Sequence, residues 1–407
     1  YQFGHTRLAI IELDDEANQP MEFDDIILVF NGEIYNFKEL IISEELSCLT
    51  NSDSEVIIRL YQKHGIEFLN KLNGMFAFAL YDKTLSKLFC ARDRYGKKPF
   101  FYYFKDNKFI FSSSIKSIIK ILGFTPSLNK VALSQYLQYF VPLNENSFYS
   151  DIKKLEASSY MIFQNSSIHI KKYYKIKTYK RVFDETLALR DIEELLFESM
   201  KSRLVGDVEL GCLLSGGIDS SLVAALYSKI SGKKVNTFSV GYSDYKNYSE
   251  LNYALKAAKH IGSNHHPLEI SKKEFLDSFE TTLEALEEPH ADSAAIPLYC
   301  LTKKINSMGI KSVLSGEGSD ELFLGYDNYF KFLKYYEFKN SLNSNQNSFL
   351  NEIIGALQNN TKESEYLRRV IKDENLYNSF GEIFSSSQKK RLFKKVPTFK
   401  SEKSKSD

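Results

Sequence analysis

The chain has 407 residues, 43% of them hydrophobic, and is therefore long and apolar enough to form two or three domains. Its 53 Lys and Arg residues balance 52 Asp and Glu residues, so we expect small-molecule partners, with no nucleic acid and no membrane surface among them. The sequence has no membrane-spanning apolar stretch, no recognisable signal peptide and no CxxC pair among its four cysteines, which together predict a cytoplasmic protein with reduced thiols.

Residues 1–172 are rich in short runs that are typical of β-strands. These runs are residues 6–13, 25–30, 75–82, 87–93, 100–104 and 108–114. The turn signals between them are Asn31-Gly32, Asn73-Gly74, residues 93–96 and Asp106-Asn107. Residues 54–64 have the pattern of a helix. The first 172 residues therefore predict one mostly antiparallel β domain with a few helices.

Strands and helices alternate from about residue 184, after a basic and aromatic segment at residues 171–181. We interpret that segment as a linker or edge strand, with nucleic-acid binding as the alternative. Strands are predicted at residues 208–214, 234–242, 264–270 and 310–315, and helices near residues 222–230, 249–261, 273–286 and 296–306. This second domain, residues 180–407, should be a parallel sheet with helices on both faces. Residues 340–351 are polar enough for a loop, and the tail from Ser401 is expected to be disordered.

A glycine-rich turn, Ser-Gly-Gly-Ile-Asp-Ser-Ser at residues 215–221, joins the first strand of this domain to a helix. Gly216 and Gly217 allow the backbone to approach a ligand closely, and the helix N-terminus favours an anion. The turn lacks the lysine of a Walker loop and carries Asp219, a carboxylate that can hold a metal ion. We therefore predict binding of pyrophosphate with Mg²⁺, in which Ser215, Ser220 and Ser221 add hydroxyl donors. The alternative is a Gly-Ser turn that merely caps a helix.

A second glycine-rich turn, Ser-Gly-Glu-Gly-Ser-Asp-Glu at residues 315–321, follows the strand at 310–315. Carboxylates beside a triphosphate repel it unless a divalent cation lies between them, so Asp219 and Asp320 are predicted as the Mg²⁺ ligands. The alternative is a capped helix with Ser319 as its N-cap.

The segments LLSGGIDSS, FSVGY, EEPHADSAAIPLY and VLSGEGSDELFLGY occur in this order and carry a family resemblance. The first resembles the PP-loop of N-type ATP pyrophosphatases, and the set resembles the synthetase domain of glutamine-hydrolysing asparagine synthetases. The resemblance implies that Leu213 and Val240 border the adenine and ribose, and that Ser315 and Gly316 contact the nucleotide. It also implies that Glu317 assists formation or breakdown of an acyl-adenylate. Leu324 departs from the pattern, because the family usually has glycine there.

The N-terminal segments GHTRLAII, VFNGEIYN, NSDSEVI, LNGMFAFALYD and ARDRYGKKPFFYY resemble a class II glutaminase domain, which has an N-terminal-nucleophile fold. The resemblance implies that Arg7 binds the α-carboxylate of glutamine and that Asp53 pairs with its α-ammonium group. Asn31 and Gly32 would form an oxyanion hole, and Glu33 would help to place the substrate. The alternatives are a hairpin turn at Asn31-Gly32 and a surface ion pair at Arg7.

The family's catalytic cysteine is the first residue of the mature chain and precedes the GHxRL motif. None of the four cysteines can replace it, since the nucleophile's own α-amino group is thought to act as its base. The family's arginine-rich segment and a later lysine would follow the C-terminal end of this sequence. We therefore expect a fragment in which both active sites are incomplete.

The implied reaction uses glutamine, ATP with Mg²⁺, and an acceptor carboxylate. Glutamine is cleaved in the first domain, ammonia passes to the second, and the adenylated side chain of aspartate is converted to asparagine with release of AMP and pyrophosphate. One alternative is another acceptor, a uronic acid of a surface polysaccharide or a peptide. The other is a non-catalytic remnant that binds nucleotide. Our expectations for assembly include a homodimer.

Overall fold

The computed structural model describes residues 1–177, 184–356, 362–372, 383–384 and 386–393. The predicted disorder from Ser401, and residues 178–181 of the basic segment, lie outside this part of the chain. The chain forms two compact units. The first unit comprises Tyr1–Phe124, Lys154–Glu287 and Ala294–Gly316, and the second comprises Thr125–Lys153, Glu288–Ser293 and Glu317–Asp407. The domain division that the sequence suggests near residues 172–180 stays a prediction.

The secondary structure changes character along the chain, from strand-rich to alternating. The strands are β1 (Met21–Phe23), β2 (Ile26–Ile34), β3 (Gly74–Asp82), β4 (Lys87–Arg92), β5 (Phe101–Lys105), β6 (Lys108–Ser112), β7 (Ile152–Lys154), β8 (Ser159–Gln164), β9 (Ser167–Lys172), β10 (Leu210–Leu213), β11 (Asn236–Tyr242), β12 (Asn264–Ile270) and β13 (Ser312–Leu314). The helices are α1 (Phe37–Ser43), α2 (Asp53–His64), α3 (Ile115–Leu122), α4 (Lys130–Tyr139), α5 (Glu185–Arg203), α6 (Ile218–Ser231), α7 (Leu251–Ile261), α8 (Lys272–Asp277), α9 (Phe279–Ala285), α10 (Ala295–Ser307), α11 (Ser319–Phe323), α12 (Asp327–Ser341), α13 (Ser344–Ala356), α14 (Lys362–Ile371) and α15 (Ser386–Leu392). Among these helices, none combines the length and apolarity needed to cross a membrane.

An antiparallel sheet of order β1-β2-β3-β4-β8-β9 forms the core of the N-terminal part. Its buried face carries Phe78 and Phe89, whose ring centroids are 5.7 Å apart, and Phe68 packs on both. Strands β2 to β6 and helix α2 confirm six of the predicted segments. The β5–β6 hairpin turns at Asp106 and Asn107, which both have positive φ, as a two-residue hairpin turn requires.

Two predictions for this part are wrong. Residues 6–13 form no strand, because the carbonyl groups of Ile11 and Glu12 accept hydrogen bonds from the Arg7 side chain instead of from a neighbouring strand. Asn31-Gly32 is not a hairpin turn, because both residues lie inside β2 and pair with Ala77 and Phe76 of β3. A strand interior, rather than a turn, therefore explains this Asn-Gly pair.

A four-stranded parallel sheet of order β12-β11-β10-β13 confirms the predicted alternation. Cys212 and Leu214 pack against α6 and α7 on one face, whereas Phe238 packs against Leu301 and Ile305 of α10 on the other. The chain leaves β10 towards β11 and returns on its opposite side to β13, so strand order reverses at β10. Ligands of such sheets bind at this reversal, beyond the carboxyl ends of the strands.

Two further predictions for the second half need correction. The predicted helix at residues 273–286 is two helices, α8 and α9, separated at Ser278. Residues 340–351 are mostly helical, since α12 extends to Ser341 and α13 begins at Ser344. The polar side chains there cap a helix. The Gln346 N–H donates to Asn343 Oδ1, and the Asn343 N–H donates to Gln346 Oε1. The polar composition therefore marks a helix start rather than a long loop.

Candidate glutamine pocket and nucleotide loop

A cavity of about 1120 Å³ in the first unit brings together the residues predicted to bind glutamine. Its lining includes Arg7, Asn31, Gly32, Glu33 and Asp53. These residues come from the N-terminal segment, from strand β2 and from the start of helix α2. Because these three segments are separated in sequence, their convergence is a property of the fold rather than of a local motif.

Gly32 is required where β2 approaches β3. A Cβ atom at this position would lie 2.0 Å from the Met75 carbonyl oxygen and 2.8 Å from the Phe76 Cα. No side chain can fit at such distances without moving the paired strand. The glycine thus allows the tight pairing of β2 with β3 at the cavity wall, where Asn31 and Gly32 lie. Their role as oxyanion donors stays a prediction.

The Arg7 guanidinium organises the loop that follows it. It donates to the Asp14 carbonyl oxygen at 2.9 Å and the Ile11 carbonyl oxygen at 3.0 Å, and also to the Glu12 carbonyl oxygen and to Asn18 Oδ1. These acceptors are carbonyl and amide oxygens rather than the carboxylate expected of a surface ion pair. The predicted role of Arg7 in binding the glutamine carboxylate remains a prediction.

Two carboxyl groups of the cavity have perturbed ionisation. Burial raises the pKa of Asp53 to about 7, although the Ile34 N–H, 2.9 Å from Asp53 Oδ2, favours the charged form. Burial also raises the pKa of Glu33, and the Lys98 ammonium opposes that shift. A site that holds such groups in a cavity fits the recognition of a charged small molecule.

Sequence reasoning missed three residues around this cavity. Lys98 and His5 line it, and His5 Nδ1 is buried without a hydrogen-bond partner among the described residues. Asp93, only 1% exposed, accepts backbone N–H bonds from Phe76, Tyr95, Lys97 and Lys98. This carboxylate therefore fixes both the partner strand of Gly32 and the loop that carries Lys98. The turn signal at residues 93–96 pointed to the loop but not to this bonding.

The four cysteines, all within the described part of the chain, are absent from the cavity lining. Burial raises the pKa of Cys90 well above its ordinary value and that of Cys212 to about 12. The pKa of Cys48 is raised as well, chiefly by burial. Thiols with raised pKa values are poor nucleophiles.

The loop at residues 215–221 lies at the carboxyl end of β10, also in the first unit. Gly216 has φ of 88°, and a Cβ atom there would lie 2.4 Å from the backbone carbonyl carbon of Tyr253. Ser215 Oγ and Ser220 Oγ are hydrogen-bonded at 2.9 Å, and the Gly217 N–H donates to Ser215 Oγ at 3.2 Å. The hydroxyl groups thus hold the loop, and no described side chain caps helix α6 at Gly217. Gly217 is the N-cap of α6, so pyrophosphate binding by this turn and the helix-capping alternative both stay predictions.

The loop that follows β13 touches the loop that follows β10. A Cβ atom at Gly316 would lie 2.9 Å from both the Asp219 Cβ and the Ser220 backbone nitrogen. The fold therefore brings Ser315 and Gly316 beside the 215–221 loop. Leu213 and Val240 lie on neighbouring strands, half-buried around Phe238.

Glu317 and Asp320 belong to the second unit. Ser319 is not an N-cap, since Gly318 holds that position with φ of 94° and Ser319 begins α11. The Gly325 N–H donates to the Asp320 carbonyl oxygen at 3.0 Å. The described residues contain no cluster of three or more His, Cys, Asp or Glu side chains that could hold a metal ion. The Mg²⁺ ligands Asp219 and Asp320 therefore stay a prediction.

The chain combines an antiparallel β part with a parallel α/β part that carries a glycine-rich loop after β10. Residues 1–174 match the family profile described as a glutamine amidotransferase domain, and residues 191–404 match that of asparagine synthase. The chain belongs to the asparagine synthetase family, and it has the expected fold: an α+β N-terminal-nucleophile glutaminase part followed by an α/β PP-loop part.

Three relatives illustrate this membership. A Methanocaldococcus jannaschii protein, provisionally named asparagine synthetase 2 (glutamine-hydrolysing), is 35% identical over 79% of this chain and 66% of its own length. Asparagine synthetase 1 (glutamine-hydrolysing) of Bacillus subtilis is 32% identical over 96% of this chain and 62% of its own length. A Gibberella zeae protein named amidase chry2 is 31% identical over 80% of this chain and 51% of its own length. The chain thus spans half to two thirds of the length of these relatives.

Proposed function

We propose that the protein transfers the amide nitrogen of glutamine to the side-chain carboxylate of aspartate, which ATP first activates. The products are asparagine, glutamate, AMP and pyrophosphate. The observation that carries this proposal is the convergence of Arg7, Asn31, Gly32, Glu33 and Asp53 on one cavity. The asparagine synthase match over residues 191–404 and the B. subtilis relative support ATP and aspartate as the other substrates.

In the glutamine pocket, each residue has a task that suits its chemistry. Arg7 offers a planar, charged fork to the α-carboxylate, and Asp53 in its ionised form pairs with the α-ammonium group. The Asn31 side-chain amide and the Gly32 N–H stabilise the oxyanion that forms when the substrate amide is attacked. Glu33 lies beside Gly32 on β2 and helps to place the substrate.

In the nucleotide site, the 215–221 loop binds pyrophosphate through backbone N–H groups and the serine hydroxyls. Leu213 and Val240 border the adenine and ribose, Ser315 and Gly316 contact the nucleotide, and Glu317 assists the adenylate step. The carboxylates of Asp219 and Asp320 are the kind of ligand that Mg²⁺ prefers, and they would hold the ion that neutralises the phosphates. A free carboxylate is a poor electrophile, so adenylation supplies AMP as the leaving group.

A second candidate keeps this chemistry but changes the acceptor. The relative named as an amidase favours it, because that name does not describe a protein making asparagine. In this candidate the adenylated carboxylate belongs to a uronic acid or a peptide. The residues of the glutamine pocket would keep the same roles.

Product analysis of the full-length protein with ATP, glutamine and a panel of carboxylates tests the proposal. Asparagine should form only with aspartate, together with equimolar AMP and pyrophosphate. Asp219→Asn should abolish pyrophosphate release and leave glutamine hydrolysis measurable. Arg7→Ala should raise the glutamine KM by roughly 30 to 1,000-fold, while ammonium still supports synthesis. Amidation of another carboxylate in place of aspartate would establish the second candidate, and no nucleotide-dependent product would refute both.

A further inference from the structure

The segment that joins helix α5 to strand β10 contacts the loop that carries Arg7. We define residues 203–207, which begin with the last residue of α5, as the joining segment. It lies outside the residues matched to the amidotransferase family, which end at 174, and inside those matched to asparagine synthase. All of its contacts described below lie within the first unit.

Asp207 bonds to the Arg7 loop at two points. The Glu12 N–H donates to Asp207 Oδ2 at 2.7 Å, and the Asp207 N–H donates to the Ile10 carbonyl oxygen at 2.8 Å. The neighbouring Gly206 packs so closely that a Cβ atom there would lie 3.1 Å from Ile10 Cγ2. The joining segment and residues 10–12 therefore lie side by side and are hydrogen-bonded to each other outside any strand.

Glu12 links Asp207 to Arg7. Its N–H donates to Asp207, and its carbonyl oxygen accepts from the Arg7 guanidinium, which also donates to the Ile11 carbonyl oxygen at 3.0 Å. Glu12 has φ of 52°, a left-handed conformation that a non-glycine residue keeps only when its surroundings hold it there. Asp207 thus supports Glu12, one of the four residues whose oxygen atoms hold the Arg7 guanidinium.

Arg203 contacts Tyr35, which follows the cavity-lining residues of β2. Its guanidinium lies 4.8 Å from the ring centroid of Tyr35, which is 8% exposed and follows Glu33 by two residues. Arg203 is itself fixed, because it donates to both the carbonyl oxygen and Oγ of Ser199 at 2.7 Å. This contact fixes the end of β2 from which Glu33 extends.

We propose that Arg203 and Asp207 are positioning residues of the glutamine pocket, supplied by the synthase part of the chain. Asp207 holds Arg7 through Glu12, and Arg203 holds Glu33 through Tyr35. Neither residue touches glutamine itself. Because β10 begins three residues after Asp207 and leads to the Ser215 loop, one short segment connects the pocket to the nucleotide site. This inference rests on the proposed glutaminase function.

Steady-state glutamine hydrolysis by the full-length protein tests the inference. Asp207→Ala and Arg203→Ala should each raise the glutamine KM by roughly 5 to 30-fold, the loss of one charge-assisted hydrogen bond or one cation–aromatic contact. Both should change kcat for hydrolysis and ammonium-dependent synthesis by less than about twofold, since no reacting group is lost. Arg190→Ala is the matched control, because Arg190 lies on the same helix but pairs with Asp191 on the exposed surface.

Conservative variants separate positioning from general stability. Asp207→Asn keeps an acceptor oxygen and Arg203→Lys keeps the charge over Tyr35, so both should recover most of the wild-type KM. A wild-type glutamine KM in both alanine variants would overturn the inference, and so would an equal loss of ammonium-dependent synthesis. If the wild-type protein itself hydrolyses no glutamine, the proposed glutaminase function fails and the inference fails with it.

Discussion

Gly216 should tolerate no side chain, whereas its neighbour Gly217 should. A Cβ atom at Gly216 would lie 2.4 Å from the Tyr253 carbonyl carbon and 2.5 Å from the Ala254 nitrogen, both backbone atoms of helix α7. Its φ of 88° adds strain for any L-residue. A Cβ atom at Gly217 would lie 3.4 Å from Ser215 Oγ, an ordinary contact, and Gly217 has φ of −70°.

The size of the effect follows from these two terms. A non-glycine residue in a left-handed conformation costs about 1 to 2 kcal/mol, and forcing a methyl group into packed backbone costs about 1 to 3 kcal/mol more. We therefore expect Gly216→Ala to lower the free energy of unfolding by about 2 to 5 kcal/mol. Gly217→Ala should stay within about 0.5 kcal/mol of the wild type, because its backbone conformation suits alanine.

Urea unfolding followed by far-ultraviolet circular dichroism measures both variants, and the chain has no tryptophan that could report by fluorescence. Pyrophosphate release should fall sharply in Gly216→Ala, since the loop must move away from α7. Equal stability of the two variants would refute the steric reasoning. A large loss in Gly217→Ala alone would show that the loop, not helix α7, sets the requirement for glycine.

Three further predictions concern ionisation and backbone strain. Because burial raises the pKa of Asp53 to about 7, protonation removes its charge below that pH. The glutamine KM should therefore rise as pH falls through 7. In Asp53→Asn the KM should be high and independent of pH between 5 and 8. Leu324 has φ of 57° and is 58% exposed, so Leu324→Gly should raise the free energy of unfolding by about 0.5 to 1 kcal/mol in urea titrations. A lower free energy of unfolding in the variant would show that the leucine side chain contributes packing. Burial lowers the pKa of His265, whose ring nitrogens are hydrogen-bonded to Thr237 and Ser239. The folded state therefore binds fewer protons than the unfolded state, and stability should fall as pH drops below about 6.5. His265→Gln should remove that dependence in thermal melts recorded across pH.

The sequence predicts most strands and helices of this fold because apolar periodicity is a local property. Strands β3, β4 and β10 to β13 stand where their runs place them. Periodicity predicted the wrong secondary structure for residues 6–13. Their composition is typical of a strand, but the Arg7 side chain donates hydrogen bonds to nearby backbone carbonyl groups. It also missed the helix start at Asn343, because composition alone does not separate a polar cap from a polar loop.

The sequence predicted the residues that line the cavity but not the residues that hold the surrounding backbone in place. Family motifs pointed to Arg7, Glu33 and Asp53, which the structure brings to one cavity. Asp93 and Asp207 escaped prediction, because their importance comes from backbone groups that they bind across the fold. The ionisation of Asp53 is likewise a consequence of burial, which no local sequence signal encodes.

At three positions the structure explains why glycine is needed, which the sequence alone does not. Asn31-Gly32 and the Gly216 and Gly316 loops all look like turns, and a turn needs glycine for its backbone angles. The structure gives another reason in each case: a Cβ atom would meet a backbone atom of another element at 2.0 Å at Gly32, 2.4 Å at Gly216 and 2.9 Å at Gly316. The elements approached are β3, α7 and the start of α6. Glycine therefore lets the predicted binding residues stand on closely packed backbone, which keeps donors in place before a ligand arrives.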